Sequence, residues 1–335
     1  MSSSASVEDQ QFLALLTSRG FLSREQALEV LEGCAEQDFE ARLSAVSSFT
    51  AAEINHLRQT RAMREPRIPG YTIERLLGKG GTAEVYAAKR DRDFERVALK
   101  ILRPDLSRNK VAANQFAKEA KLLRDLEGVP QVVNGLRVFR FMHTLVLEME
   151  RVAGQTLLEW LDQGRKFSES EAFNIICEVA VALEGMREHG VIHRDLKPGN
   201  IMLDREFNVR LIDFGFAGEG LSGGHGEGTT MGTAAYLAPE QAKGQSDLDG
   251  RADIYSLGVT LYHLILGELP FVASDDQELL RMQVLDSLKG AAMKGGRVSP
   301  LAHYFLEKMM AKDREVRYAS AGDLIEDLEA HLSDD

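Results

Sequence analysis

The stretch richest in chemistry is His193-Arg194-Asp195-Leu196-Lys197-Pro198-Gly199-Asn200, followed 18 residues after Asp195 by Asp213-Phe214-Gly215. Together they supply a carboxylate that can accept or orient a hydroxyl proton and a lysine beside it that can neutralise a transferring phosphoryl group. They also supply two hard oxygen donors, on Asn200 and Asp213, suited to Mg²⁺. Upstream, Val97-Ala98-Leu99-Lys100 puts a lysine on a strand-like run, and Glu119, 19 residues later, lies in the helical segment Phe116-Ala117-Lys118-Glu119-Ala120. A lysine that touches α- and β-phosphates needs an anionic neighbour to fix its rotamer, which a helix glutamate can be. Earlier still stands Leu77-Gly78-Lys79-Gly80-Gly81-Thr82-Ala83-Glu84-Val85. Glycines at a strand-to-strand turn let backbone amides approach phosphate oxygens. The glycine run and the Lys–Glu pair are weak signals alone; the eight-residue string and its triad at this spacing decide between readings.

The pattern around these residues shows what must position them. Strand-like runs cover Tyr71 to Leu77, Glu84 to Lys89, Val97 to Leu102, Gln131 to Val138 and Thr144 to Met149, interrupted by one helical stretch from about Lys110 to Leu126. After Gln155 the periodicity is helical: Ser168 with Glu171 opens a long helix ending near Gly190, and Ser299-Pro300 places proline at a first helical position. Strands first and helices later predict two lobes of different class. Residues 1–65 read as four short helices with start signals at Ser23/Gln26 and Thr50/Glu53 and a stop at Gly20. So small a helical segment buries little area alone and is expected to lean on something else. Pro66-Arg67-Ile68-Pro69-Gly70 is a stiff, helix-incompatible linker.

Composition sets limits on function. The chain has 335 residues, 44% hydrophobic and 27% charged, which suffices for a buried core and excludes wholesale disorder. With 52 acidic against 40 basic residues the net charge is -12, so no broad basic field exists for nucleic acid or anionic lipid, and a polyanion must be held by a few placed groups. Two cysteines, Cys34 and Cys177, build neither a disulfide framework nor a metal site. The opening Met-Ser-Ser-Ser-Ala-Ser has no secretion-signal pattern, and the longest uncharged run, Ile254 to Gly267, is too short to span a bilayer. The expectation is a cytoplasmic protein without a membrane span.

From Tyr71 to about Leu332 the sequence resembles a eukaryotic-type protein kinase, closest to the bacterial serine/threonine kinases, where Gly-Gly-x-x-Glu-Val-Tyr and His-Arg-Asp-Leu-Lys-Pro-Gly-Asn are usual spellings. The resemblance implies an α+β, two-lobed fold: a small antiparallel-sheet lobe with one helix (71–147) and a larger, mainly helical lobe (148–332), here preceded by the helical segment. It implies transfer of the γ-phosphoryl group of ATP, with Mg²⁺ or alternatively Mn²⁺, to Ser/Thr hydroxyls of protein substrates. Asp195 would be the catalytic base, Lys197 the phosphate-stabilising lysine, and Asn200 and Asp213 the metal ligands. Lys100 and Glu119 would form the activating ion pair. Leu147 would be the gatekeeper, Glu148 and Met149 the hinge whose backbone meets adenine, and Leu77, Gly78, Lys79, Gly80, Gly81, Val85 and Ala98 the rest of the nucleotide site.

Gly232 to Glu240 looks like the peptide-docking segment of that family, in which Thr233 would hydrogen-bond Asp195 and Lys197, and Glu240 would be buried against Arg317. Asp253 would brace the backbone of the catalytic loop. His193 would stack on Phe214 as a core residue, Trp160 would pack a helix onto the larger lobe, and Cys177 would be core. Two positions depart from the commonest pattern: Ala83 replaces the third glycine of the phosphate loop, and Gly199 stands where many arginine-directed kinases carry glutamate. Eight of the 18 residues from Gly215 to Gly232 are glycine, so the segment pays a large ordering entropy. Phosphorylation at Thr229 or Thr230 by the enzyme itself, with self-association during that step, would add charge to pair with Arg194. A pseudokinase or scaffold signalling through the N-terminal helices, and a small-molecule phosphotransferase, are the alternatives.

Overall fold

In the computed structural model, residues 5–33, 38–61, 66–214, 234–288 and 297–332 are described. They divide into two units, Met1–Lys121 with Gly135–Arg151 and Leu122–Asn134 with Val152–Asp335. The first begins with helices α1 (Val7–Ser18), α2 (Arg24–Gly33), α3 (Phe39–Ser47) and α4 (Ala51–Gln59). Each starts where a side chain can satisfy orphan amides. Thr50 Oγ1 accepts from Glu53 N while Glu53 Oε2 accepts from Thr50 N, Ser23 and Gln26 exchange the same pair of bonds, and Ser6 with Asp9 adds a third such box. Gly20, at φ 76, turns the chain after α1. Phe12, Leu13, Leu16, Val30, Leu43, Ile54 and Leu57 form the core of these helices, joined by Met142 from elsewhere in the unit. Cys34 lies outside the described residues.

The sheet follows as β1 (Tyr71–Lys79), β2 (Ala83–Arg90), β3 (Arg96–Leu102), β4 (Gly135–Phe141) and β5 (Thr144–Glu150), antiparallel in the order β1-β2-β3-β5-β4, with α5 (Lys110–Asp125) between β3 and β4. Residues 66–70 do more than link. Ile68 is buried in the sheet's core with Tyr71, Tyr86, Val97, Leu99 and Val146, and the Arg67 carbonyl lies 2.9 Å from His56 Nε2. The strand expected from Gln131 begins only at Gly135. Residues 131–133 instead pair with the second unit's β8 (Val209–Leu211), where Val133 N donates to Leu211 O and Leu211 N to Gln131 O, so the buried Val132 and Val133 serve a different sheet.

The second unit carries a small sheet of β6 (Gly154–Thr156), β7 (Ile201–Asp204) and β8, with α6 (Leu157–Asp162) and α7 (Glu169–Glu188), both opened by reciprocal caps, at Thr156/Glu159 and Ser168/Glu171. The helix Arg251–Leu266 is buried along almost its whole length. Gly258 lies on it because a Cβ there would come within 2.9 Å of Met309 and Met310 on the neighbouring chain segment. Trp160 of α6 stacks on Phe207, the turn residue between β7 and β8, with the Arg165 guanidinium 4.7 Å from its ring. Cys177 is only half-buried, beside the α7 core that Phe173, Ile176 and Ala180 fill. Burial, then the charges of Glu329 and Glu178, pushes its thiol up.

Candidate active site

The β ladder sets the candidate residues of the first unit in register. Gly78 pairs with Val85, Val85 with Lys100, and Lys100 with Leu147, so one rung crosses four strands; Ala98 pairs with Met149 two residues along. Cross-strand partners share a face, which places Val85, Lys100, Leu147, Ala98 and Met149 on one side. Lys100 Nζ meets Glu119 Oε1 of α5 at 2.6 Å, the two side chains 11% and 10% exposed. In such low-dielectric surroundings the pair orders the ammonium in one direction.

Glu148, one residue after Leu147, points to the other face. Its carboxylate accepts from Tyr71 Oη at 2.5 Å and pairs with Arg90 at 3.1 Å and Arg137 at 3.4 Å. Burial, then the Glu148 carboxylate, pushes Tyr71 up to about 12. Only the backbone at 148 is left to meet a ligand on the Lys100 face. Sequence reasoning missed this buttress, because Tyr71, Arg90 and Arg137 lie far apart along the chain.

The glycine turn is held at both ends. Gly80 N donates to Ala83 O at 2.9 Å, so the residue in the third-glycine position supplies an acceptor that closes the turn, and its methyl is buried. Lys79 pairs with Glu84 at 2.8 Å across the base. Burial raises the Glu84 carboxyl, but hydrogen bonds from Lys79 and Tyr86 outweigh it and leave it below the usual range. Arg103, unmarked in the sequence, donates from Nη1 to Gly81 O at 3.1 Å. Leu77, Gly78, Gly80 and Gly81 are exposed.

In the second unit the loop between α7 and β7 gathers the candidate transfer residues. Lys197 Nζ donates to both oxygens of Asp195, at 2.8 and 3.0 Å, and Asn200 Nδ2 donates to Asp195 Oδ2 at 3.0 Å and to its carbonyl at 2.8 Å. Asn200 ends a 3₁₀ turn at the start of β7, and its carbonyl accepts from Ile212 N at 3.1 Å. That bond sets Asn200 beside Asp213 at one end of the β7–β8 hairpin. With Nδ2 committed to Asp195, the Asn200 amide oxygen is the hard donor that remains, and Asp213 adds a half-buried carboxylate. This donor set fits Mg²⁺ completed by phosphate oxygens and water, whereas the described residues hold no cluster of three or more His, Cys, Asp or Glu that could cage a metal by themselves.

The loop is braced from below. Asp253 Oδ2 accepts from His193 N and Oδ1 from Arg194 N, both at 2.8 Å. Burial raises Asp253 to about 6 against the pull of those two amides. Arg194 sits at φ 67, a left-handed conformation that the two amide bonds and a hydrogen bond from Gln241 Nε2 to its carbonyl hold in place. The His193 ring lies against Phe214, tilted by 36° rather than stacked, with ring centroids 5.0 Å apart, and burial lowers it to about 4, so it is a neutral core ring at neutral pH.

Beyond the loop, Ala234 to Glu240 are nailed to the unit. Ser256 Oγ donates to Tyr236 O at 2.8 Å and Gln283 Nε2 to Ala235 O at 2.5 Å. Arg317 forks onto Glu240 at 2.6 and 2.9 Å. Gln283 is a buried polar residue inside an otherwise ordinary helical pattern and gives no sequence signal. Thr229, Thr230 and Thr233 lie outside the described residues.

A family model described as the protein kinase domain matches residues 71–328. The chain is 36% identical over 279 residues to a probable serine/threonine-protein kinase of Streptomyces coelicolor, covering 81% of this chain and 41% of that protein. It is 32% identical over 271 residues to the serine/threonine-protein kinase PknB of Mycolicibacterium smegmatis (77% and 42%), and 34% identical over 256 residues to PknD of Mycobacterium tuberculosis (76% and 38%). The chain spans about two fifths of the length of these relatives. No helix among the described residues is long and apolar enough to cross a membrane. The matched span starts at the first residue of β1 and ends inside the last helix, enclosing both residue clusters, and by it the chain belongs to the eukaryotic-type protein kinase family.

Proposed function

We propose that this chain is a serine/threonine protein kinase that transfers the γ-phosphoryl group of ATP to hydroxyls of protein substrates, residues 71–332 forming the catalytic domain and 1–65 an accessory segment. The observation that carries the reading is the Asp195 carboxylate, gripped by Lys197 and Asn200. A carboxylate so held keeps one orientation in which to accept the substrate hydroxyl's proton, and Lys197 beside it offsets charge on the transferring group. Asn200 and Asp213 would hold Mg²⁺, or Mn²⁺, which when bound neutralises phosphate oxygens. Lys100, oriented by Glu119, meets the α- and β-phosphates; backbone amides from Gly78 to Gly81 approach the remaining oxygens; Leu77, Val85, Ala98, Leu147, Met149 and the backbone at 148 form the purine's surroundings. Thr233 is assigned to hydrogen-bonding Asp195 and Lys197, and Thr229 and Thr230 to autophosphorylation between two copies of the chain.

The test is transfer from labelled ATP to a generic basic protein by the wild type and Asp195→Asn. The variant keeps the side chain's size but loses the base and one of the two oxygens that accept from Lys197 and Asn200, so transfer should fall by at least about 10²-fold, within the range general-base catalysis supplies. Transfer indifferent to Asp195→Asn would refute the assignment, and labelling of a sugar or other small molecule without protein would redirect it to a different substrate class.

A further inference from the structure

Besides the tie from His56 to the Arg67 carbonyl, the described N-terminal helices meet the rest of their unit at two places that bear on the elements carrying Lys100 and Glu119. The first is the β4–β5 hairpin tip. Met142 is buried in the core of α1 to α4, Phe141 packs beside it, and the His143 ring lies 5.2 Å from Phe49. Met142 and His143 take φ 49 and 61, the tight-turn conformation that glycine or asparagine usually fills. The chain accepts that cost where both side chains are engaged.

The second place is the connection from β3 to α5. Gly20 passes so close to Asp105 that a Cβ would stand 3.2 Å from the Asp105 amide nitrogen. Arg108 Nη2 donates to the Ser47 carbonyl at 2.9 Å. Ser47 is the last residue of α3, so the arginine satisfies a helix C-terminal carbonyl with a cation, the favourable sign for that end. The next residue, Asn109, starts α5, its Oδ1 accepting from Val111 N at 2.9 Å and Ala112 N at 3.2 Å. Two consecutive side chains thus close α3 and open α5.

We infer that Arg108 is a positioning residue for phosphoryl transfer: by tying the start of α5 to the end of α3, it holds α5 at the setting in which Glu119 reaches Lys100. The inference rests on the role given above to the Lys100–Glu119 pair. Residues 1–65 then act as a brace on that pair, and whatever loosens the brace lowers turnover.

The full chain is compared with Arg108→Ala, Arg108→Lys and Glu119→Gln by steady-state transfer to a generic protein substrate and by amide hydrogen exchange. Arg108 is exposed, so its truncation leaves the core intact. Arg108→Ala should lower kcat about fivefold, what losing one ordinary hydrogen bond at an exposed position is worth, with KM for ATP changed less. Amides of residues 110–118 should exchange faster while those of residues 12–16 keep their protection, and Arg108→Lys, which can still donate to Ser47, should restore most of the turnover. An unchanged kcat for Arg108→Ala, a reduced kcat without faster exchange in α5, or failure of lysine to rescue overturns the inference. Undiminished turnover in Glu119→Gln overturns the role of the pair and this inference with it, whereas a Glu119-sensitive, Arg108-indifferent enzyme overturns this inference alone.

Discussion

The Asp253 carboxylate and the His193 backbone amide are joined at 2.8 Å inside the second unit, and the two residues titrate with opposite consequences for stability. Asp253, raised by burial from 3.8 to about 6, binds its proton more tightly folded than unfolded, so on its account stability falls as pH rises from about 4 to 6. His193, lowered by burial from 6.5 to about 4, resists protonation when folded, so on its account stability is lost as pH falls from 6.5 toward 4. The windows overlap and the slopes oppose. Asp253→Asn removes one slope and exposes the other: between pH 6.5 and 4 the variant should lose roughly 3 kcal/mol more than the wild type, the worth of the Asp253 shift that no longer offsets His193. Denaturant melts across that range check it through the difference in slope, and parallel curves for the two proteins would show that the titrations do not govern stability there.

Lys100 and Glu119 are a buried pair for which stability and activity should separate. Burying two charges is costly, and replacing both by apolar residues of similar size often leaves stability near its starting point. Lys100→Met combined with Glu119→Leu should stay within about 1 kcal/mol of the wild type while transfer falls by at least about 10²-fold. A melt combined with a transfer assay measures both. Collapse of the fold in the double variant would make the pair a structural element.

Arg317 and Glu240 should behave differently although the pair is more buried, at 0% and 5% side-chain exposure. Arg317 also donates to the Ala311, Arg251 and Lys312 carbonyls, at 2.8, 2.9 and 3.3 Å. Arg317→Met strands a buried carboxylate and several carbonyls together, so it should cost about 3–5 kcal/mol. Glu240→Gln leaves the arginine its carbonyl acceptors and should cost less than half as much. Adding Glu240→Leu to Arg317→Met should recover only part of the loss, because the carbonyls stay without a donor. Full recovery in a double-mutant cycle would mean that the ion pair alone matters.

How far the sequence could be read followed from the kind of signal each feature leaves. The Asp195 string and Asp213 stood out in the sequence because their residue types fall at a fixed spacing, Lys100 and Glu119 only once that string stood beside them, and the helix starts at Thr50 and Ser168 because a cap pairs residues three apart. Asp253 and the Glu240–Arg317 pair were legible only through family resemblance. Arg103, Gln283 and the Tyr71–Arg90–Arg137 buttress of Glu148 were not legible, since each works across distant segments and each is an ordinary residue on its own element. The start of β4 was misplaced for a related reason: Val132 and Val133 have strand character, but the backbone partner that uses it, Leu211, belongs to another sheet. Thr229, Thr230 and Thr233 fall on residues outside the described set.

Met142 gives the sharpest probe of the N-terminal segment, because a hairpin-tip residue is ordinarily dispensable and this one is 6% exposed in the helices' core. Truncating a buried methionine leaves a cavity, and Met142→Ala should cost about 2–4 kcal/mol in the stability of α1 to α4. Met142→Gly deletes one atom more but relieves the φ of 49, worth about 1 kcal/mol in the opposite direction, so it should be no worse than alanine. Native-state hydrogen exchange localises the effect: amides of Leu13 to Leu16 should lose protection in both variants, while those of Tyr255 to Leu261 in the second unit should keep theirs. If both variants kept wild-type protection at Leu13 to Leu16, the four helices would be stable without the hairpin tip and would need nothing from the sheet to fold.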